Sequence, residues 1–197
     1  EIKDLGSNLI NDVENNIIIS IFFFSLFVFF WVLIGGIMSP VILLGGYLFG
    51  PTISTILITI TNAVSATIFF LVMKIFFKKP IDLIFQKKFT KILNFLNKKI
   101  SNYFFIFRLF GGFGVPSPFQ NLIPIVTKLT NKNFFLLSLI GTAPLIFVWS
   151  NFGYTLRIIA NTKDLNFSIF SNPYILLSLI FISFLPFIAK KSKGFFK

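Results

Sequence analysis

The chain has 197 residues, 55% of them hydrophobic, with 31 Phe and a mean hydropathy of +0.88. A soluble domain of this size cannot cover so much apolar surface, so the composition points to an integral membrane protein. There is no Cys and no His, which excludes disulfides, thiolate nucleophiles and Cys/His zinc sites. The net charge of +12 is concentrated between apolar tracts, where it sets membrane topology rather than binding nucleic acid.

Residues 1–16 carry Glu1, Asp4, Asp12 and Glu14 against Lys3 and read as a short polar N-terminal segment. No cleavable signal peptide is expected, because the first apolar run is long and its leading flank is acidic. From Asn15 to Met73 there is no charged residue. At about 20 residues per crossing, this tract fits two membrane helices. The first is expected over Ile17–Ile37, with Gly35-Gly36 loosening its end. An interruption follows over Pro40–Pro51, containing Gly45, Gly46 and Gly50. The second crossing starts after Pro51, a favourable first helical position, and runs to about Phe77. Thr55, Thr59, Asn62 and Ala66 share one face of it, which reads as a packing stripe or as the lining of a polar path.

The block from Lys78 to Lys99 carries seven lysines among apolar residues at helical spacing, the pattern of an amphipathic helix lying in the membrane interface. Anionic lipid headgroups are its expected partners. An apolar stretch, Ile100–Phe107, leads to Arg108. A second interrupted segment over Leu109–Thr127 contains Gly111, Gly112, Gly114, Pro116, Pro118 and Pro124. The third crossing is expected over Phe134–Tyr154 and a short fourth over Tyr174–Ala189, before a basic tail at 190–197. Non-helical backbone at membrane depth survives only where protein or water covers its polar groups. The two interruptions therefore read as re-entrant segments facing a shared interior. The expected fold is an all-α polytopic membrane protein. It has about four transmembrane helices, two opposed re-entrant hairpins and an interfacial amphipathic helix, with 17–189 as a single membrane domain.

The positive-inside rule puts the basic block, Lys128, Lys132 and the C-terminal tail in the cytoplasm, and Arg157 and Lys163 outside. Both termini are then expected in the cytoplasm, and the two interruptions enter from opposite faces.

Three passages resemble the DedA superfamily, also called the VTT-domain or SNARE-associated Golgi protein family, in its bacterial and plastid branch. They are Gly45-Gly46-Tyr47-Leu48-Phe49-Gly50; Phe107-Arg108-Leu109 leading to Pro118-Phe119 and Asn121; and Gly141-Thr142-Ala143-Pro144 followed by Asn151-Phe152-Gly153-Tyr154. Together they span roughly 38–156. The resemblance implies a polytopic protein of the bacterial cell (inner) membrane that handles lipid, as a scramblase or flippase does. The branch containing DedA itself places acidic residues near the first re-entrant segment. This chain has none between Glu14 and Asp82, so coupling to protons through such carboxylates does not carry over.

Outside the N-terminal segment the only acids are Asp82 and Asp164, in opposite connections, so a paired-carboxylate active site is not expected. The expectation is no enzyme, no cofactor and no metal. The candidate substrate path consists of Arg108, Pro116, Pro118, Phe119, Asn121, Gly45, Gly46, Gly50 and Asn62, with Ser39, Ser117 and Gln120 as further polar residues at the tips and Thr55 and Thr59 beside Asn62. Arg108 either grips a lipid phosphate with its guanidinium or snorkels and caps carbonyls. The competing functions are a membrane scaffold or assembly factor without transport, and an ion-coupled small-solute transporter.

Overall fold

The computed structural model describes residues 10–161, together with 173 and 180; the side chains of 81–96 and 161 are not described. Most of the expected fourth crossing, the tail 190–197, Lys163 and the first nine residues lie outside the described residues, as do the side chains that make the basic block amphipathic. Among the described residues every regular element is helical: α1 (Ile17–Leu33), α2 (Met38–Lys98), α3 (Ile100–Leu109), α4 (Ser117–Leu122) and α5 (Asn131–Asn161), with 3-10 turns at Gly111–Gly114 and Ile123–Val126. Two helices are long and apolar enough to cross a membrane, Met38–Pro80 and Asn131–Ala160.

α1 is apolar all round. It buries Phe24, Val28 and Val32 and leaves Ile18, Phe22, Phe23 and Phe30 exposed, as a helix bordering lipid would. Its 17 residues make about 25 Å of helix, short of a hydrocarbon core of about 30 Å. It stops where Gly35 adopts φ +80, a conformation open to glycine at little cost. The Trp31 indole N–H then donates to the Ile37 carbonyl (2.9 Å) across the turn. The chain reverses here: Phe24 on α1 meets Phe49 on α2 at a centroid distance of 5.2 Å.

α2 is not one rod. Gly50 takes φ +76, and a Cβ at Gly45 would stand 2.7 Å from both Ser54 Oγ and Ile58 Cδ1. In a straight helix Gly45 and Ile58 lie about 20 Å apart, so the chain folds back at Gly50. Segment 38–49 is therefore a helix returning alongside α1, and a second helix begins with Pro51 in its first turn. This corrects two expectations. The stretch Pro40–Pro51 is not an irregular interruption. The first helix does not extend to Ile37, because the breaks sit at Gly35 and Gly50, where the backbone is left-handed. Pro40 falls in the first turn of 38–49, where its missing N–H has no partner to lose. Helical backbone continues past Phe77 to Lys98, but Lys74 reaches Asn131 and Asn97 reaches Lys128, so this run does not stay straight between 74 and 97.

Helix 51–80 and α5 run antiparallel. Ser54 Oγ lies 3.1 Å from Ser150 Oγ, Phe70 stacks on Phe134 at 4.4 Å, and Lys74 Nζ donates to Asn131 Oδ1 at 3.2 Å. α3 enters beside the start of α5, with Asn133 bonded to Ser101 and Phe104 stacked on Phe134. Arg108 bonds Gln120 and Asn121, while the Lys128 N–H donates to Asn97 Oδ1, so the segment after α3 doubles back to the end it came from. The same motif therefore occurs twice: a helix in, a tip, a helix out, then a long helix. The two copies approach from opposite ends of the bundle.

Residues 10–15 are helical and pack rather than float, with Ile10 buried and Val13 against the core. Glu14 pairs with Arg157 at 2.6 Å, so these residues sit at the end opposite to Lys74 and Asn131. The expectation that the residues before α1 share a face with the basic block fails for 10–16. The cause is the returning helix 38–49, which makes α1 and helix 51–80 point the same way.

Candidate functional site

The two tips meet inside the bundle. Gly35 in the first faces Pro118 of the second, with room for ordinary van der Waals contact. Beside this contact lies a cavity of about 420 Å³. Its walls are Ile37, Met38, Ser39 and Ile42 from the first copy of the motif. The second contributes Phe110, Gly111, Gly114, Val115, Pro116, Ser117 and Gln120. Asn62 and the α5 residues Thr142, Leu145, Ile146 and Trp149 complete it, with Arg108 among them.

Arg108 is carried inward by α3, about 13 Å along the helix axis from Lys99. It faces Gly141 of α5, where a Cβ would stand 2.7 Å from Arg108 Cβ; glycine there gives the arginine stem its space. The residue is 3% exposed. Its Nη1 donates to Gln120 Oε1 at 3.2 Å, and its Nη2 donates to Asn121 Oδ1. The guanidinium carbon lies 4.9 Å from the centroid of Phe104 and 5.4 Å from that of Phe134. Amide oxygens and ring faces thus stabilise the cation. They carry no charge to neutralise it. Residues 15–81 and 83–163 contain no Asp or Glu, and Arg108 Nε has no hydrogen-bond partner. A buried cation is costly unless it is paired, and among the described residues this one, on a cavity wall, has no ionic partner.

The second tip is built around Gln120. Its Nε2 donates to the carbonyls of Gly111 (3.0 Å) and Val115 (2.6 Å), one at the start of a left-handed run and the other just past its end. Gly111, Gly112 and Gly114 take φ +63, +71 and +85, and Phe113 takes +52. Three of the four positions are glycine because left-handed backbone costs other residues about 1–2 kcal/mol each. Phe113 bears that strain while stacking on Phe110 at 5.5 Å. A Cβ at Gly112 would stand 2.8 Å from Gln120 Cγ.

Of the residues expected on the path, Arg108, Pro116 and Asn62 line the cavity. Asn121 supports Arg108 from behind. Pro118 packs on Gly35, and Phe119 is exposed at the periphery. Gly50 makes the turn with no atom near it. Gly45 and Gly46 are packing positions: Gly45 faces Ser54 and Ile58, and Gly46 faces the Ser150 backbone. Thr55 spends its hydroxyl on the Pro51 carbonyl, whereas Asn62, from the same stripe, reaches the cavity. Sequence reasoning counted Gln120, with Ser39 and Ser117, among the polar tip residues that could supply the path, and all three line the cavity; it passed over Thr142 and Trp149. The i, i+12 distance from Arg108 to Gln120 carries no periodic signal. The spacing of Thr142, Leu145, Ile146 and Trp149, a single helical face, was the available clue for α5.

A family model described as the VTT domain matches residues 36–155, more than half of the chain. No curated protein and no solved structure gives a significant match.

Proposed function

The chain belongs to the VTT-domain family, that of DedA and the SNARE-associated Golgi proteins, and from that premise we propose that this membrane protein passes lipid headgroups between leaflets through the cavity between its two tips. The observation that carries the proposal is Arg108: a buried cation on the cavity wall, with no Asp or Glu in residues 15–81 or 83–163. A lipid phosphate supplies the missing charge, and the apolar outer faces of α1 and α5 leave the acyl chains in the bilayer.

In this reading the two tips are re-entrant hairpins entering from opposite membrane faces, and 51–80 and α5 are the crossings between them. The positive-inside rule places the end bearing Lys74, Lys78, Lys79, Lys98, Lys99, Lys128 and Lys132 in the cytoplasm of a bacterial cell and the Glu14–Arg157 pair on the far side. The lysines of the basic block touch anionic headgroups there. Movement is passive, because the described crossings contain no carboxylate to take up a driving proton.

The test is reconstitution in liposomes with a fluorescent phospholipid that a membrane-impermeant reductant can quench. The protein should expose inner-leaflet lipid to the reductant. Arg108→Gln should slow this about 10–100-fold, the cost of one charge-assisted hydrogen bond. Vesicles with protein that behave like empty vesicles would defeat the proposal.

A further inference from the structure

Arg108 does not stand ready with a full set of free donors. Each of its terminal nitrogens gives one of its two N–H groups to the amides of Gln120 and Asn121, and among the described residues Nε has no partner. A phosphate that takes the two terminal nitrogens as a fork competes with those amide oxygens for Arg108. Gln120 is the member with further connections, because its Nε2 bonds Gly111, at the start of the left-handed run, and Val115, just past its end. Few other bonds hold that run: the Phe113 N–H donates to the Phe110 carbonyl at 3.3 Å and the Val115 N–H to the Gly112 carbonyl at 3.0 Å. Phe113 and Gly114 are exposed.

We infer that Gln120 is a positioning residue that couples occupancy of Arg108 to the order of the second tip: with no anion bound it clamps 110–116, and a phosphate on Arg108 releases it. The inference rests on the lipid-phosphate reading above and adds its consequence. Binding loosens the wall of the cavity that faces the first tip, so a headgroup opens its own way past Gly35 and Pro118. Asn121, on the same guanidinium, does not bond the tip and holds Arg108 in place throughout.

The test is hydrogen–deuterium exchange over residues 110–116 in nanodiscs of phosphatidylcholine, with and without phosphatidic acid. Lipid adducts are counted in parallel by native mass spectrometry. In the parent protein, phosphatidic acid should bind and speed exchange of 110–116 about tenfold, since two neutral hydrogen bonds to the tip are lost. Gln120→Leu should exchange at the fast rate in both lipids and still retain the adduct. Gly112→Ala, whose Cβ displaces the Gln120 side chain, should behave in the same way and guards against a folding defect peculiar to the leucine. Gln120→Glu should exchange fast and lose the adduct, because its carboxylate satisfies Arg108 but cannot donate to the tip.

Inorganic phosphate added to phosphatidylcholine nanodiscs separates the two sources of the anion. Acceleration by it alone supports the clamp with a soluble ligand and removes the lipid. An adduct on the parent without any change in exchange overturns the coupling and leaves lipid binding intact. Slow exchange in both Gln120→Leu and Gly112→Ala overturns the clamp itself. No response of the parent to either anion overturns both the coupling and the lipid reading.

Discussion

Substituting Gly46 by alanine tests the architecture at its closest point. A Cβ there would stand 2.7 Å from the Ser150 carbonyl carbon and 2.8 Å from its Cα. Ordinary contacts between carbon atoms are about 3.5–4.0 Å, so helix 38–49 and α5 must separate by about 1 Å. All three of the nearest atoms are backbone, and no rotamer change relieves the overlap. In a bilayer, helix association relies on such close packing rather than on exclusion of water. Overpacking of this kind costs about 1–3 kcal/mol. For a chain of this size that lowers Tm by about 2–12 °C, readable from thermal unfolding in detergent.

Gly153 lies on the other side of the same crossing, where a Cβ would stand 2.9 Å from the Leu43 carbonyl carbon and 3.0 Å from the Tyr47 nitrogen. Once the helices have moved apart for one methyl group, the second costs less. Gly46→Ala and Gly153→Ala should therefore lower Tm by less together than the sum of their separate effects. Gly50→Ala is the contrasting control. It meets no atom within 4 Å and is strained only through φ +76, so its effect should add to that of Gly46→Ala. A Gly46→Ala protein melting with the parent, or full additivity with Gly153→Ala, would refute the crossing.

Two further outcomes follow from the far end of the bundle. Glu14→Gln and Arg157→Gln each break one half-exposed ion pair and should cost about 0.2–1 kcal/mol, with the double variant no worse than the poorer single one; a double-mutant cycle in detergent reads this, and independent effects would mean that the pair does not form. Single cysteines at the exposed positions Asp12 and Lys132, introduced into a chain that has no cysteine of its own, should react with impermeant reagent from opposite sides of intact vesicles. Labelling from the same side would return residues 10–16 to the face of the basic block.

The contrast between Gly35 and Pro40 explains how far the sequence could be read. Both lie in one uncharged tract and both look like breaks. Proline's cost depends on where the helix starts, and Pro40 falls in a first turn where it disrupts nothing. Glycine's freedom matters only where the chain must turn left-handed, as at Gly35 and Gly50. That demand comes from the partners on either side: Trp31 against Ile37 and Phe24 against Phe49. Misplacing this one turn also put residues 10–16 at the other end of the bundle from where the Glu14–Arg157 pair holds them. The second segment was easier to place, because its glycine and proline residues cluster between Arg108 and Thr127 with no competing helical pattern.

The sequence by itself determined the helical, membrane-embedded character of the chain, through its long uncharged tracts. It determined the family through residues 38–156. It also determined that residues 15–81 and 83–163 offer Arg108 no carboxylate. Only the tertiary structure decided that the two tips meet at Gly35 and Pro118 and that Gln120 ties Arg108 to Gly111 and Val115. Composition and periodicity are local quantities, carried by each stretch of chain alone. A cavity between two tips depends on where helices separated by dozens of residues come to rest, and backbone contact at Gly46 and Gly153 fixes that position.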